Sequence, residues 1–288
     1  MYENVPKNFN PYKQNLSHVK DFFKKPIVLI IAIFHIVSLA LSLITTLGDS
    51  TVAKHLYQAE LISSDYYDLM GNPVFGLVLM TPSIIFSFLI IIAYFLIYAK
   101  SRSSKPESSP RVGFSIMQLI AVFQLIGAVI VVAAMAFVGF VMWTSYLSAS
   151  DYYFFNLSSS ATLINCIIAT SIFILLAILI LIYSVSNLRF FKSLKRCISS
   201  VNLVSGGAKG LAVTSVVFAV IQALALAAYI LLPRIRSYSN EFMIISIITI
   251  AVSIIIYILQ AIIALGYRKH VYRITSSVFS DNYESKLN

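Results

Sequence analysis

The sequence predicts an all-α integral membrane protein built as a bundle of six transmembrane helices. Of the 288 residues, 59% are hydrophobic and only 11% are charged, and the mean hydropathy is +0.88. Soluble domains carry about 25% charged residues, so this composition excludes a water-soluble globule, a disordered chain and a disulfide scaffold. Two further observations agree: six long stretches lack Asp, Glu, Lys and Arg, and the basic residues between them are unevenly distributed.

Six stretches are long enough to cross a bilayer, whose hydrocarbon core of about 30 Å requires roughly 20 apolar helical residues. They are Pro26–Gly48, Pro73–Ala99, Val112–Leu147, Ala161–Ser186, Leu211–Pro233 and Phe242–Tyr267. The first is longer than the apolar region of a cleavable signal sequence, so we expect it to be retained. The third is the longest, but no charge or proline interrupts it, and we expect one tilted or projecting helix. Residues 1–288 are thus predicted to form a single membrane domain.

Charge predicts the orientation of these spans. Across the segments that flank them, 18 of the 21 Lys and Arg residues fall on one side of the membrane and 3 on the other. The positive-inside rule then places both termini in the cytoplasm of a multi-pass plasma-membrane protein. With acidic residues included, the net charge is +13 inside and −3 outside. The overall charge of +10 therefore indicates orientation rather than affinity for nucleic acid.

Short similar segments recur along the chain at spacings between 84 and 95 residues. The odd-numbered spans share an apolar segment around a phenylalanine, the even-numbered spans end in Leu-x-Tyr, and two outer loops contain Asp-Tyr-Tyr. The marks are Phe34, Phe123 and Phe218, Tyr98, Tyr183 and Tyr267, and the loop segments that begin at Asp65 and Asp151. They suggest three tandem helical hairpins that all enter from the cytoplasm. A coincidence of apolar composition is an equally open interpretation.

Polar residues within a span are candidate functional groups, because burying them in lipid is costly. His35 is the only histidine in a span and lies near the middle of the first one. Under the repeat alignment Gln124 coincides with His35, and Gln222 falls one turn from the third equivalent position. His35, Gln124 and Gln222 are therefore predicted to converge as an intramembrane polar cluster. The alternative is that they form interhelical hydrogen bonds that serve packing alone.

Two basic segments outside the spans have apolar residues at helical spacing, Gln14–Lys25 and Arg189–Val204. Both are predicted to be helices on the inner leaflet, where anionic lipids attract basic side chains. The alternative is that their charges only fix the orientation of the spans. Within the fifth span Ala219, Ala223 and Ala227 form a stripe of small residues, which predicts a face for close helix packing.

The motifs that the sequence lacks bear on function. No span contains a carboxylate for proton or Na⁺ coupling, and no His-Glu-x-x-His or Gly-x-Ser-x-Gly motif is present. Cys166 and Cys197 have no metal-binding spacing, and we expect neither a metal nor a cofactor. We therefore expect a non-enzymatic accessory or partner subunit, with the bilayer and a membrane protein as partners. The alternative is a passive transporter or channel for an unknown solute, lined by His35, Gln124 and Gln222.

Overall fold

In the computed structural model, the described residues are 11–48, 73–105, 108–147, 160–199, 203–231 and 240–284, and their regular elements are all α-helices. The helices in chain order are α1 Pro11–Phe23, α2 Pro26–Gly48, α3 Pro73–Arg102, α4 Arg111–Leu147, α5 Ser160–Ser199, α6 Ala208–Leu231 and α7 Asn240–Glu284. Helices α2 to α7 are each long and apolar enough to cross a membrane. The predicted helical class and the number of membrane-length helices are confirmed. The loop tyrosines of the repeat pattern lie outside the described residues.

Helices α2 and α4 match the predicted spans most closely. Helix α2 has the predicted limits and begins at Pro26, whose fixed φ suits the first helical position. Helix α4 is one continuous helix of 37 residues, as expected from the uninterrupted third stretch. At 1.5 Å per residue it is about 55 Å long, so it must tilt strongly or project beyond the hydrocarbon core.

Helices α5 and α7 extend far beyond the predicted spans. The separate surface helix expected over Arg189–Val204 does not form, because α5 continues without a break from its membrane segment to Ser199. Helix α7 likewise continues past Tyr267 to Glu284. The predicted spans end where charged residues begin, because charges limit which part of a helix can lie in lipid. The helix itself does not end there, because Lys, Arg and Leu all favour a helix in water as well.

The six long helices form a closed ring. Each of α2 to α6 packs against the next helix in the chain, and α7 packs back against α2. The most extensive packing joins α4 with α5, α6 with α7, and α2 with α3. Helices α2, α4 and α6 therefore alternate with α3, α5 and α7 around the ring.

The outward faces of the ring are apolar. On α4 the exposed side chains include Leu119, Phe123, Ile126 and Ile130, which recur at helical spacing along one face. Such an apolar face is stable in contact with lipid tails but not with water. On α6, Ala219 is buried while Ala223 and Ala227 are exposed, so the predicted small-residue packing face is only partly used within the chain.

Helix α1 lies across one end of the ring, which we call the α1 end. It contacts α3 and α5, and its aromatic rings reach α4 and α7. The largest buried cluster of apolar side chains is at this end and includes residues from all seven helices. The α1 helix was predicted, but its apolar face packs against the bundle and not against the inner leaflet.

Candidate functional site

The three residues of the predicted polar cluster have different surroundings. His35 on α2 is half-buried and stacks on Tyr94 of α3, with ring centroids 5.7 Å apart and an angle of 19° between the rings. Its Nε2 atom is buried and has no hydrogen-bond partner among the described residues. Because a ring nitrogen in an apolar bundle normally pairs, His35 retains an unused capacity for a hydrogen bond.

Gln124 on α4 is paired with a residue that the sequence did not single out. Its Oε1 atom accepts a hydrogen bond of 2.8 Å from Nδ2 of Asn187 on α5. Asn187 is only 3% exposed, and its own Oδ1 atom is buried without a partner in the described part of the chain. The pair therefore combines one interhelical hydrogen bond with one unused acceptor. Asn187 was missed because the predicted fourth span ended at Ser186, one residue earlier.

Gln222 is half-buried on α6, four residues from Phe218 and thus on the same helix face. Phe218 stacks on Tyr257 of α7, with ring centroids 5.5 Å apart, so this face is turned towards α7. Gln124 bonds to Asn187 and His35 stacks on Tyr94, so the structure gives two of the three predicted residues separate partners. Their convergence with Gln222 on one pocket stays a prediction.

A second group of polar side chains meets inside the ring. The hydroxyl of Tyr183 on α5 donates a 2.8 Å hydrogen bond to Oε1 of Gln260 on α7. The side chain of Gln260 also interacts with Tyr94 on α3. Because α3, α5 and α7 alternate around the ring, side chains that join all three must meet in its interior. Tyr183 is one of the repeat marks and Gln260 is an amide within the sixth predicted span, but nothing in the sequence indicated their pairing.

These side chains together form what we call the polar layer. Its members come from five helices and are His35, Tyr94, Gln124, Tyr183, Asn187 and Gln260. Every one is uncharged or, for His35, able to be neutral, so the layer offers neutral donors and acceptors rather than an ion site. Within the described residues, no group of three or more His, Cys, Asp or Glu side chains could hold a metal ion.

A layer of aromatic rings lies at the α1 end of the ring, next to the polar layer, and includes rings from α1 itself. This aromatic layer consists of Phe22, Phe23, Phe114, Phe190 and Tyr267. Phe23 contacts both Phe114 and Tyr267, with ring centroids 5.0 and 5.8 Å apart. Phe190 contacts Tyr267 in turn, at 6.0 Å. Helices α4 and α7 are opposite one another in the ring, so rings that connect them through α1 extend across the α1 end of the ring.

The spacing between the two layers follows from the sequence positions of their members. Tyr183 and Phe190 on α5 are seven residues apart, and so are Gln260 and Tyr267 on α7. Seven residues correspond to about 10 Å along a helix and nearly two full turns. The two layers are therefore stacked along the ring axis, with equivalent members on the same face of each helix.

Six apolar, membrane-length helices are compatible with a polytopic membrane protein embedded in a lipid bilayer, and this is the class that the fold defines. Comparisons with protein-family models, with curated proteins and with solved structures found no match. Any statement about the activity of this chain therefore depends on its own residues.

Proposed function

We propose that this chain is a non-enzymatic, multi-pass protein of the plasma membrane whose six-helix ring provides a passive path for a small neutral solute. The observation that carries the proposal is the presence of buried polar atoms without partners inside an apolar bundle. Among the described residues they include Nε2 of His35, Oδ1 of Asn187 and Oγ of Ser215, on three different helices. Packing alone favours paired polar groups, whereas a solute path needs groups that a passing molecule can pair with.

The solute class follows from the charges of the spans. The predicted spans contain no Asp, Glu, Lys or Arg, so an ion in the ring would lose its hydration without a compensating charge. A small neutral molecule with hydroxyl or amide groups loses far less and can exchange hydrogen bonds with the polar layer. The same absence of carboxylates argues against coupling to protons or Na⁺, and hence for passive movement.

The proposed orientation has both termini and the α1 end in the cytoplasm. Basic residues are concentrated at this end, on α1, in and beside the α3–α4 linker, and on the last turns of α5. The positive-inside rule assigns such an end to the cytoplasm. The dominant packing of α2 with α3, α4 with α5, and α6 with α7 also supports an organisation as three tandem hairpins.

The proposal predicts solute flux that depends on the polar layer. Purified protein in liposomes should accelerate the entry of glycerol or urea over protein-free liposomes, measured by light scattering after rapid mixing. Asn187→Leu and the double variant His35→Leu with Gln124→Leu should each lower the rate several-fold. Ser87→Ala is the matched control, because the Ser87 hydroxyl donates to the Ser83 carbonyl of its own helix. Rates equal to those of empty liposomes for the unaltered protein and for every variant would exclude a path for these solutes.

A second candidate function is the accessory-subunit hypothesis. The observation that favours it is the exposure of Ala223 and Ala227, two small residues four apart on the outer surface of α6. Small residues at this spacing allow another membrane helix to approach closely. A photo-crosslinking residue at position 223 should then capture one defined partner in native membranes, whereas one at Ile130 on α4 should capture only lipid. Equal, diffuse labelling from both positions would remove this candidate.

A further inference from the structure

We infer that helix α1 is a releasable cap that closes the cytoplasmic opening of the ring and controls access to the polar layer. This inference rests on the proposed function, because a cap matters only if the ring conducts a solute. Helix α1 would be the part of the molecule that keeps the proposed solute path closed.

The first support is the depth at which α1 is buried. Val19, Phe22 and Phe23 lie on one face of the helix and are between 0 and 3% exposed. Phe22 and Phe23 both contact Tyr267 of α7, with ring centroids 5.5 and 5.8 Å apart. Phe23 also contacts Phe114 on the opposite side of the ring. The α1 side chains therefore fill the space between helices that face each other, as a cap must.

The second support is the kind of polar contact that links α1 to the segments beside it. Nζ of Lys20 donates to the backbone oxygens of Ser103 and Lys105, at 2.8 and 3.3 Å, in the α3–α4 linker. Nε2 of His270 lies 3.0 Å from the backbone oxygen of His18. Each contact involves a long or exposed side chain and one or two acceptors, so water can replace it when α1 leaves.

The third support is the way in which α1 is attached. Only residues 24 and 25 separate it from α2, and its backbone continues into them through a hydrogen bond from Lys24 N to Lys20 O. A short connection at one end permits α1 to swing while the ring stays intact. The salt bridge between Lys24 and Asp21 joins two residues three positions apart in the chain, so it does not tie α1 to the ring.

The released helix has an alternative binding surface. Its apolar face, its exposed Lys13, and the exposed Lys24 and Lys25 that follow it are the features of a helix that lies at a membrane interface with anionic lipids. The bundle and the inner leaflet thus compete for the same face of α1. This competition allows a reversible cap without exposing the phenylalanines to water.

The experiment combines a flux measurement with a structural one. The variant Phe22→Ala with Phe23→Ala weakens the cap, and Lys20→Ala weakens it without removing apolar packing. Ser17→Ala is the matched control, since the exposed Ser17 hydroxyl donates to the backbone oxygen of Gln14 within α1 itself. Glycerol entry is measured in proteoliposomes, and folding is checked by thermal unfolding.

The structural readout is the reactivity of Cys197 towards a water-soluble maleimide in a Cys166→Ser background. Cys197 is fully buried, and its Sγ atom lies 3.4 Å from the hydroxyl of Tyr267, which α1 covers. Both cap variants should increase Cys197 labelling and glycerol entry several-fold, with Lys20→Ala the weaker of the two. The control should change neither.

A crosslink provides the opposite perturbation. The rings of His18 and His270 have centroids 6.4 Å apart, so cysteines at these two positions should be within reach of a short bifunctional methanethiosulfonate reagent that fixes α1 to α7. Reaction with this reagent should reduce glycerol entry, and a reducing agent should restore it. This result does not depend on destabilising the protein.

The outcomes separate the cap from the proposed function. Glycerol entry that is present but unaffected by the cap variants and by the crosslink overturns the cap and leaves the path standing. Increased Cys197 labelling without glycerol or urea entry in any variant supports α1 as a removable cover but overturns the path. Unchanged Cys197 labelling in both cap variants overturns the cap.

Discussion

The hydrogen bond between Tyr183 and Gln260 should measurably stabilise the folded bundle. It connects α5 with α7 in the ring interior at 2.8 Å, the usual distance for a well-formed bond from a hydroxyl. Interhelical hydrogen bonds in membranes contribute about 0.6–2 kcal/mol, because the unfolded helices also find polar partners. We expect Tyr183→Phe to lower the free energy of unfolding by about 1–2 kcal/mol.

A double-mutant cycle isolates this bond from its surroundings. Gln260→Leu should cost about 2–3 kcal/mol, because it removes the partner of Tyr183 and an interaction with Tyr94. The combined variant should cost less than the sum, with a coupling free energy of about 1 kcal/mol. Unfolding by SDS in mixed micelles, followed by circular dichroism, gives these values. Tyr272→Phe is the control, since Tyr272 is 74% exposed.

The cycle can also contradict the structure. A coupling free energy below about 0.3 kcal/mol would mean that the two side chains do not pair, because additive effects are expected of residues without a shared contact. A loss for Tyr272→Phe as large as that for Tyr183→Phe would show that the assay responds to any lost hydroxyl.

Three further predictions use the same unfolding assay or a topology measurement. Gly113→Ala should lower the free energy of unfolding by about 1–3 kcal/mol, because the added Cβ would lie 2.8 Å from a backbone oxygen of α3. Gly127→Ala, where no atom lies within 4 Å, should instead be neutral or raise it by up to about 1 kcal/mol. Gly207→Ala should be destabilising by about 1–2 kcal/mol, since its φ is +77° and its Cβ would meet the α5 backbone. Reporter fusions within residues 49–72 should be active outside the cytoplasm, and fusions at 200–202 inside it.

Each of these has a clear contrary result. Equal effects of the alanine substitutions at Gly113 and Gly127 would refute the close approach of α3 and α4. An unchanged free energy of unfolding for Gly207→Ala would mean that the turn before α6 has no left-handed residue. An extracellular signal from 200–202 would invert the proposed orientation.

The sequence predicted the spanning helices well because composition and length decide them. Helix α2 begins and ends where the apolar stretch does, and α4 stays whole because no residue between Arg111 and Leu147 breaks a helix. The end predicted for α5 was wrong because the prediction ended the span where the basic residues begin. Phe190 and Leu194 are buried among bundle residues although basic side chains alternate with them. The helix therefore continues through this segment because its apolar residues recur at helical spacing, although its mean hydropathy is lower than that of the span.

The candidate site was harder to predict because pairing between distant helices leaves no local pattern. His35 and Gln124 were recognisable as polar residues in spans, but their partners Tyr94 and Asn187 are 59 and 63 residues away. Which face of a helix points inward depends on how the ring closes. The repeat marks did not predict which residues share a layer, since Tyr183 lies in the polar layer while Tyr267 lies in the aromatic layer.

The seven-residue spacing on α5 and α7 couples the two layers mechanically. Seven residues make a rotation of about 700°, so the second side chain points within about 20° of the first. A rigid turn of α7 that withdraws Gln260 from the axis therefore withdraws Tyr267 as well, and α5 moves Tyr183 and Phe190 in the same way. A substitution that displaces one layer on α5 or α7 should therefore also displace the other layer, about 10 Å away on the same helix.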